Sequence, residues 1–515
     1  MNGAESLVRT LVAGGVEVCF TNPGTSEMHF VAALDKVPGM RSSLCLFEGG
    51  ATGAADGYFR MARKPASTLL HLGPGLANGI ANLHNAKKAR SGIVNIVGEH
   101  ATYHLALDAP LTADIEGLAR PVSHWVKTSL SSAEVGQDGS EAIVAARTAP
   151  GQIATLILPG DTAWETGGNV ANVAPMPELP GIDSAQVDRV AQALRRSENA
   201  IILVGNAGLD PETFNRIAQI AQATDCALMT DWANARVDRG AGRISAPRIP
   251  FNVDLAIEAL RGFDTIILIG ARKPVAFFAY PGKPGEFAGP GTTFIELAGT
   301  AEDIPAAVDA LLDATGAATT TPKLIAQSFG PEIPVGPLDP DAIGAVIGAT
   351  LPEGAIVVDE SVTTGRGFFP VTSGAPPHTW LYNCGGSIGF CLPVATGAAM
   401  ACPDRKVVAL TGDGSAMYTL QSLWTMAREN LDVTIMVFAN QSYHILTGEL
   451  TNVGVKNPGP RAADMLSLRR PDLGWVRMSK GLGVDAVRVE TTEELARAFR
   501  AGLSENGPYL IEVVL

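Results

Sequence analysis

The chain has 515 residues, 46% hydrophobic and 17% charged, with a formal net charge of −14. That balance can bury several cores and excludes a mainly disordered chain, and at roughly 150 residues per domain the length suggests three domains. An acidic chain repels phosphate backbones and anionic lipid, so neither nucleic acid nor a membrane surface is an expected partner.

The N-terminal MNGAESLVRTLVAGG carries Glu5 early and has no basic start before a long apolar run. It reads as an amphipathic helix rather than a secretion signal. No run of 18 apolar residues occurs, so no membrane span is expected. The six cysteines form no C-x-x-C pair and sit mostly in apolar runs, as buried reduced thiols of a cytoplasmic protein would. The histidines show no zinc-binding spacing.

Within 1–165, the runs VEVCFTN, SSLCLFE, STLLHLG, GIVNIVGE and ATLILPG read as strands, and GGATGAADGYFRMAR and LANGIANLHNAKKAR as helices. Unbroken apolar strands alternating with helices predict a parallel sheet covered on both faces. Polar groups gather at the strand ends: Thr25 and Ser26, Glu48, His71, then Glu99 and His100. A lone acid in such a place is ordinarily a helix cap, but several strand ends so furnished predict a cleft.

After a Gly- and Pro-rich linker, a block over 185–320 holds the strands AIILVGN, ALMTDW, TIILIGA and TTFIELA. Its IILVGNAGLDPETF lacks G-x-G-x-x-G and the block is short, so FAD is not expected. A second linker leads to 340–515, with the strands AIVVDE, KVVALTG, VTIMVFAN, AVRV and YLIEVVL. The expected fold class is α/β, with three doubly wound parallel-sheet domains. The first and third share an organisation.

The strongest local signal is KVVALTGDGSAMYTLQSLWTMARENLDVTIMVFANQSYHIL, which reads strand, turn, helix, strand, turn. Asp413 lies just past the first of these strands and Asn440 just past the second, 27 residues on. One β-α-β crossover brings both to the same carboxyl edge, where open α/β sheets bind ligands. A hard cation such as Mg2+ takes oxygen ligands, some from phosphate. Asp413 offers a charged oxygen, Asn440 an amide oxygen, and Ser442 a backbone carbonyl. Gly412 and Gly414 would allow a tight turn and close approach of a phosphate, and free amides from Ser415 onward attract anions.

The Gly412–Asn440 segment resembles the thiamine diphosphate signature of the acetolactate synthase and benzoylformate decarboxylase superfamily, and the likeness extends over nearly the whole chain. It implies the three-domain fold: a pyrimidine-binding domain, a central domain and a diphosphate-binding domain. It implies thiamine diphosphate held through Mg2+, with Asp413, Asn440 and Ser442 as metal ligands. It further implies Ile388 in NCGGSIGFCLP as a wedge bending the cofactor, and the Gly386 carbonyl as acceptor of its amino group. Ser361 and Thr363 become diphosphate contacts, and Tyr443 joins Gly412, Gly414 and Ser415 at the cofactor. Glu48 matches the glutamate that hydrogen-bonds the pyrimidine ring. Thr25 and His71 match active-site positions of benzoylformate decarboxylase. The resemblance also implies a homodimer or homotetramer with active sites at subunit interfaces.

This chain departs from the family at several places. ARKPVAFFAYPGKP has no His where benzoylformate decarboxylase has its second catalytic one. The Phe-Gln pair of acetolactate synthases falls at Pro110 and Leu111. QSYHILTGEL supplies His444, a candidate replacement proton donor, together with Ile445, Leu446 and Glu449. These three, with Tyr382, Leu111, Thr25 and His71, are the expected substrate pocket. The reading is a 2-oxo acid decarboxylase or carboligase. The alternatives are a lyase or oxidase on the same cofactor, or a non-catalytic cofactor-binding homologue.

Overall fold

The computed structural model describes residues 1–328 and 330–515. Its first sheet consists of β1 (Val18–Asn22), β2 (Arg41–Leu44), β3 (Ala66–Leu70), β4 (Ile93–Glu99), β5 (Trp125–Thr128) and β6 (Ile153–Pro159). The strands are all parallel, in the order β2-β1-β3-β4-β6-β5. Every residue of β3, β4 and β6 is buried, as expected of apolar strands covered on both faces.

The middle segment holds β7 (Ala200–Val204), β8 (Ala227–Thr230), β9 (Val237–Arg239), β10 (Thr265–Ile269) and β11 (Thr293–Ala298). Four of these make a parallel sheet, β11-β10-β7-β8. β9 leaves it and pairs antiparallel with the edge of the third sheet. That sheet comprises β12 (Ile356–Glu360), β13 (His378–Tyr382), β14 (Val407–Gly412), β15 (Val433–Ala439), β16 (Asp485–Val489) and β17 (Tyr509–Val514). Its order is β16-β17-β15-β14-β12-β13-β9. Without β9 this is the same permutation as the first sheet. The strand before Asp413 thus corresponds to the strand before His71, and the strand before Asn440 to the one that ends at Glu99. Among the described residues no helix is long and apolar enough to cross a membrane.

Two equivalent helices join these sheets, Glu48–Ala62 from the first and Cys391–Ala401 from the third. They cross so closely that a Cβ on Gly397 would stand 1.8 Å from the Ala54 carbonyl oxygen, and one on Gly57 2.1 Å from that of Val394. Only residues without a side chain allow two backbones this near. The crossing sits in a continuous core running from Val18 and Tyr58 to Val394 and Leu423. Beside it lies a buried pair: Arg60 Nη2 is 2.7 Å from Asp56 Oδ2, and Nη1 donates to the carbonyls of Tyr382 at 2.6 Å and Ala235 at 3.2 Å. One guanidinium therefore touches all three segments.

Gly397→Ala is expected to lower stability by about 2 kcal/mol or more, because the methyl meets backbone that cannot step aside. Gly448→Ala, in an open stretch of helix with nothing near its Cβ, should be neutral or stabilising by up to about 1 kcal/mol. Denaturant midpoints of the two variants check the contrast.

Candidate active site

In the third sheet the strand order reverses between β12 and β14, the kind of switch point at which α/β sheets bind ligands. Ser361 follows β12 and Asp413 follows β14. Asp413 is 2% exposed. Its Oδ1 accepts from Gly414 N at 2.9 Å and its Oδ2 from Gln441 N at 2.6 Å. Burial raises its pKa above the ordinary carboxylate value, against the pull of those amides. It belongs to no ion pair among the described residues. Asn440 stands one residue past β15, its Oδ1 accepting from Ser442 N at 3.0 Å. Gln441 takes a left-handed φ of +54°, and Ser442 bridges to Ser467. A cavity of about 270 Å³ opens along Asn440, Gln441, Ser442 and Arg469. Among the described residues no cluster of three His, Cys, Asp or Glu side chains could hold a metal. The side-chain oxygens of Asp413 and Asn440 would suit a hard cation that takes the rest of its shell from phosphate and water.

The glycines of the Gly-Asp-Gly turn differ from expectation. Gly412 has an ordinary φ of −78° and only Ser415 Oγ, at 3.9 Å, near its would-be Cβ, so the turn does not require it. Gly414 is required by packing, since a Cβ there would meet the Tyr443 ring at 2.5 Å. The helix also starts earlier than Ser415, at Asp413, and runs only to Ala416. After β12, Ser361 has both N and Oγ bonded to Asp359 Oδ1, whereas Thr363 is part-exposed.

The loop 383–391 is tied down from three directions. Asn383 Oδ1 accepts from Gly385 N (3.1 Å) and Gly386 N (2.8 Å), and Asn383 Nδ2 donates to Ser387 O (2.7 Å). From the Leu72–Ala89 helix, Asn85 brackets Ser387 N and O, and Asn82 Nδ2 reaches Gly389 O as well as Gly49 O. Glu360, the last residue of β12, accepts from Phe390 N and Cys391 N, each at 3.1 Å, and from Asn383 Nδ2 at 3.3 Å. None of these donors reaches the Gly386 carbonyl. Gly386 is exposed, with φ +78°, and a Cβ there would strike the Phe277 ring. Ile388 joins none of the hydrophobic clusters. A carbonyl that accepts from none of these donors and a half-buried aliphatic side chain on a tied-down loop would fit the edge and face of a heteroaromatic ring.

On the first sheet, Glu48 opens a helix rather than closing a strand, because β2 ends at Leu44. It is 8% exposed and accepts from Asn78 Nδ2 at 3.0 Å. His71 caps the next helix, and its Nδ1 lies 2.7 Å from Glu27 Oε2, which also accepts from Gly24 N at 2.7 Å. Burial raises the Glu27 pKa, opposed by these bonds. With Nδ1 so engaged, Nε2 is the ring nitrogen left for other partners. Thr25 is exposed at the tip of the same turn. Glu27, Asn78, Glu360 and Asn383 carry no sequence signal of their own. Gly98, where a Cβ would stand 1.6 Å from Glu27 Oε1, is the one trace that Glu27 needs room.

The expected substrate-pocket residues divide. His444 and Leu446 are exposed, and no residue of the His444–Asn452 helix is buried. Ile445 is part-exposed and Leu111 is 39% exposed. Glu449 Oε2 accepts from Tyr280 of the middle segment at 2.8 Å. Tyr382 turns into an aromatic cluster with Phe369 and Trp380 and lies under Arg248, whose guanidinium stands 4.2 Å from its ring centre. That packing, rather than a pocket wall, is where its ring is spent. Phe277, where the family's second histidine is missing, packs with Trp232, Phe251 and Phe278.

The N-terminal TPP binding domain of the thiamine pyrophosphate enzymes matches residues 1–119, and their C-terminal TPP binding domain matches 366–513. A Mycobacterium tuberculosis protein named "Putative acetolactate synthase large subunit IlvX" is 48% identical over 100% of this chain and 99% of its own length. Benzoylformate decarboxylase of Pseudomonas aeruginosa is 28% identical over 97% of this chain and 96% of its own. The fold matches that of the Rhodococcus jostii RHA1 thiamine diphosphate-dependent 4-hydroxybenzoylformate decarboxylase with a TM-score of 0.86, at 23% identity, over 99% of this chain and 98% of that one. The chain belongs to the thiamine pyrophosphate enzyme family, among relatives named acetolactate synthase and benzoylformate decarboxylase.

Burial pushes the Glu360 carboxyl up to about 7, against the pull of its N–H donors. Its folded-state pKa lies above the unfolded one, so its contribution to stability is complete below the ordinary carboxylate value and is lost as pH rises through about 7. The thermal midpoint should therefore fall between about pH 4.5 and 7 by a component that Glu360→Gln lacks.

Proposed function

We propose that this chain is a Mg2+-dependent 2-oxo acid decarboxylase or carboligase in which Asp413, Asn440 and the Ser442 carbonyl hold the cation that grips the cofactor's diphosphate. The observation that carries this reading is Asp413 itself: a carboxylate 2% exposed, in no ion pair among the described residues, at the switch point of its sheet. Thiamine diphosphate, when bound, supplies a nucleophilic carbon and an electron sink for loss of carbon dioxide from a 2-oxo acid.

The chain's own residues have distinct tasks in this reading. Asp413 contributes the negative charge of the cage, and Asn440 and Ser442 contribute neutral oxygens. Gly412, Gly414, Ser415, Thr363 and Tyr443 line the diphosphate end, with Ser361 bracing the turn through Asp359. The Gly386 carbonyl would accept from the cofactor's amino group, and Ile388 would pack against the cofactor. Glu48, held by Asn78, shares a proton with a ring nitrogen. His71, oriented by Glu27, presents Nε2 to the substrate and moves a proton there, with Thr25 beside it. His444, Ile445, Leu446, Glu449 and Leu111 border the substrate end. FAD has no part in this reading.

We further propose a cytoplasmic homodimer or homotetramer in which Glu48 of one chain serves cofactor held by Asp413 of its neighbour. The wholly unburied His444–Asn452 helix and the exposed Leu46, Leu107 and Leu446 favour such a covering surface.

Asp413→Asn should weaken Mg2+-dependent binding of thiamine diphosphate on the order of a hundredfold or more, measured by calorimetric titration. Glu48→Gln should keep the cofactor and lose roughly a hundredfold in turnover, and Glu27→Gln about tenfold. Mixing the Asp413→Asn and Glu48→Gln chains should restore up to about a quarter of wild-type activity, because half the shuffled dimers own one intact site. No recovery would place each site within one chain. A screen of 2-oxo acids, pyruvate and benzoylformate first, should release carbon dioxide or yield condensation products. Cofactor binding without either product would favour the non-catalytic homologue.

A further inference from the structure

We propose that Glu360 is a positioning residue for the cofactor's ring-binding loop, acting through Asn383. This role rests on the cofactor reading of residues 386–388 proposed above.

Glu360 ends β12, on the far side of the switch point from Asp413, and is 4% exposed. No cation pairs with it among the described residues. Its carboxylate instead receives three N–H groups from one neighbouring stretch: the backbone of Phe390 and Cys391, and the Asn383 side chain. The first two open the Cys391–Ala401 helix, whose unpaired amides a carboxylate satisfies well. The third extends the hold. Asn383 gives one N–H to Glu360, another to Ser387 O, and uses its carbonyl oxygen for Gly385 N and Gly386 N. Glu360 and Asn383 thereby fix both ends and the middle of the loop that presents the Gly386 carbonyl and Ile388.

An amide in place of the carboxylate turns an N–H₂ toward this set of donors. Both carboxylate oxygens accept here, so one of the amides is left unsatisfied in a buried site. The cage around Asp413 shares no hydrogen bond with Glu360 and should be untouched. The loop and the cage can therefore be separated by ligand. Inorganic diphosphate with Mg2+ reports on the cage alone, while thiamine diphosphate with Mg2+ reports on cage and loop together.

The test is calorimetric titration of cofactor-free full-length protein with each ligand, for the wild type, Glu360→Gln and Asn383→Ala. The expected result is thiamine diphosphate binding weakened roughly tenfold or more in both variants, with inorganic diphosphate binding within about twofold of wild type. Asn383→Ala is the variant to rely on if Glu360→Gln does not fold, since Asn383 is only half-buried. Wild-type-like affinity for thiamine diphosphate in the variants would overturn the proposal, and so would an equal loss for both ligands, the mark of a general structural defect. A wild-type chain that bound no thiamine diphosphate would instead sink the cofactor reading along with it.

Discussion

The closeness of two helix backbones, those of Glu48–Ala62 and Cys391–Ala401, is the constraint on which the rest depends. Both helices start at the carboxyl edges of their sheets, so docking them fixes how those edges lie relative to each other. Gly57 and Gly397 set the distance, because the carbonyls of Val394 and Ala54 occupy the space where side chains would begin. Arg60 then fixes the angle by donating into the middle and third segments while its charge is met by Asp56. A buried charge pair is a poor source of net stability, but removing either partner would strand the other in a dry core. Its arrangement favours one docking over others.

The carboxylates around the candidate site share one kind of support. Glu27, Glu360 and Asp413 all bond backbone amides, of Gly24, of Phe390 and Cys391, and of Gly414 and Gln441, instead of pairing with lysine or arginine. Amides hold an anion in place without neutralising it. Asp413 is therefore left without a cationic neighbour among the described residues, and Glu27 has the imidazole of His71 as its side-chain partner. The burial that raises all three pKa values also keeps water from competing for those bonds.

Much of this was legible because strand ends are periodic landmarks. Asp413 and Asn440 lie one residue beyond β14 and β15, where a largely apolar run meets its first carboxylate or amide side chain. The alternation of runs and helices likewise implied parallel sheets. Three strands escaped that logic. β5 is only half-buried, β9 has three residues, and β13 begins with His378 and Thr379, so none reads as an apolar run. Glu48 lies on a different element from the one the apolar run suggests, since the edge strand β2 stops early and leaves Cys45–Phe47 outside it. The supports of the site were not legible at all. Glu27 finds its partner 44 residues away and Glu360 finds Cys391 31 residues away, and neither spacing belongs to a helix or a strand.

The borrowed strand β9 bears on how the protein is made. Val237–Arg239 leaves the ribosome long before its partners His378–Trp380, and their antiparallel pairing closes the edge of the third sheet. Until the C-terminal third is synthesised, β9 has no ladder to join, and the middle region cannot reach its final form as an autonomous unit. Such a non-local pairing slows maturation, and it makes the central and C-terminal regions poor candidates for exchange with those of a relative as separate cassettes.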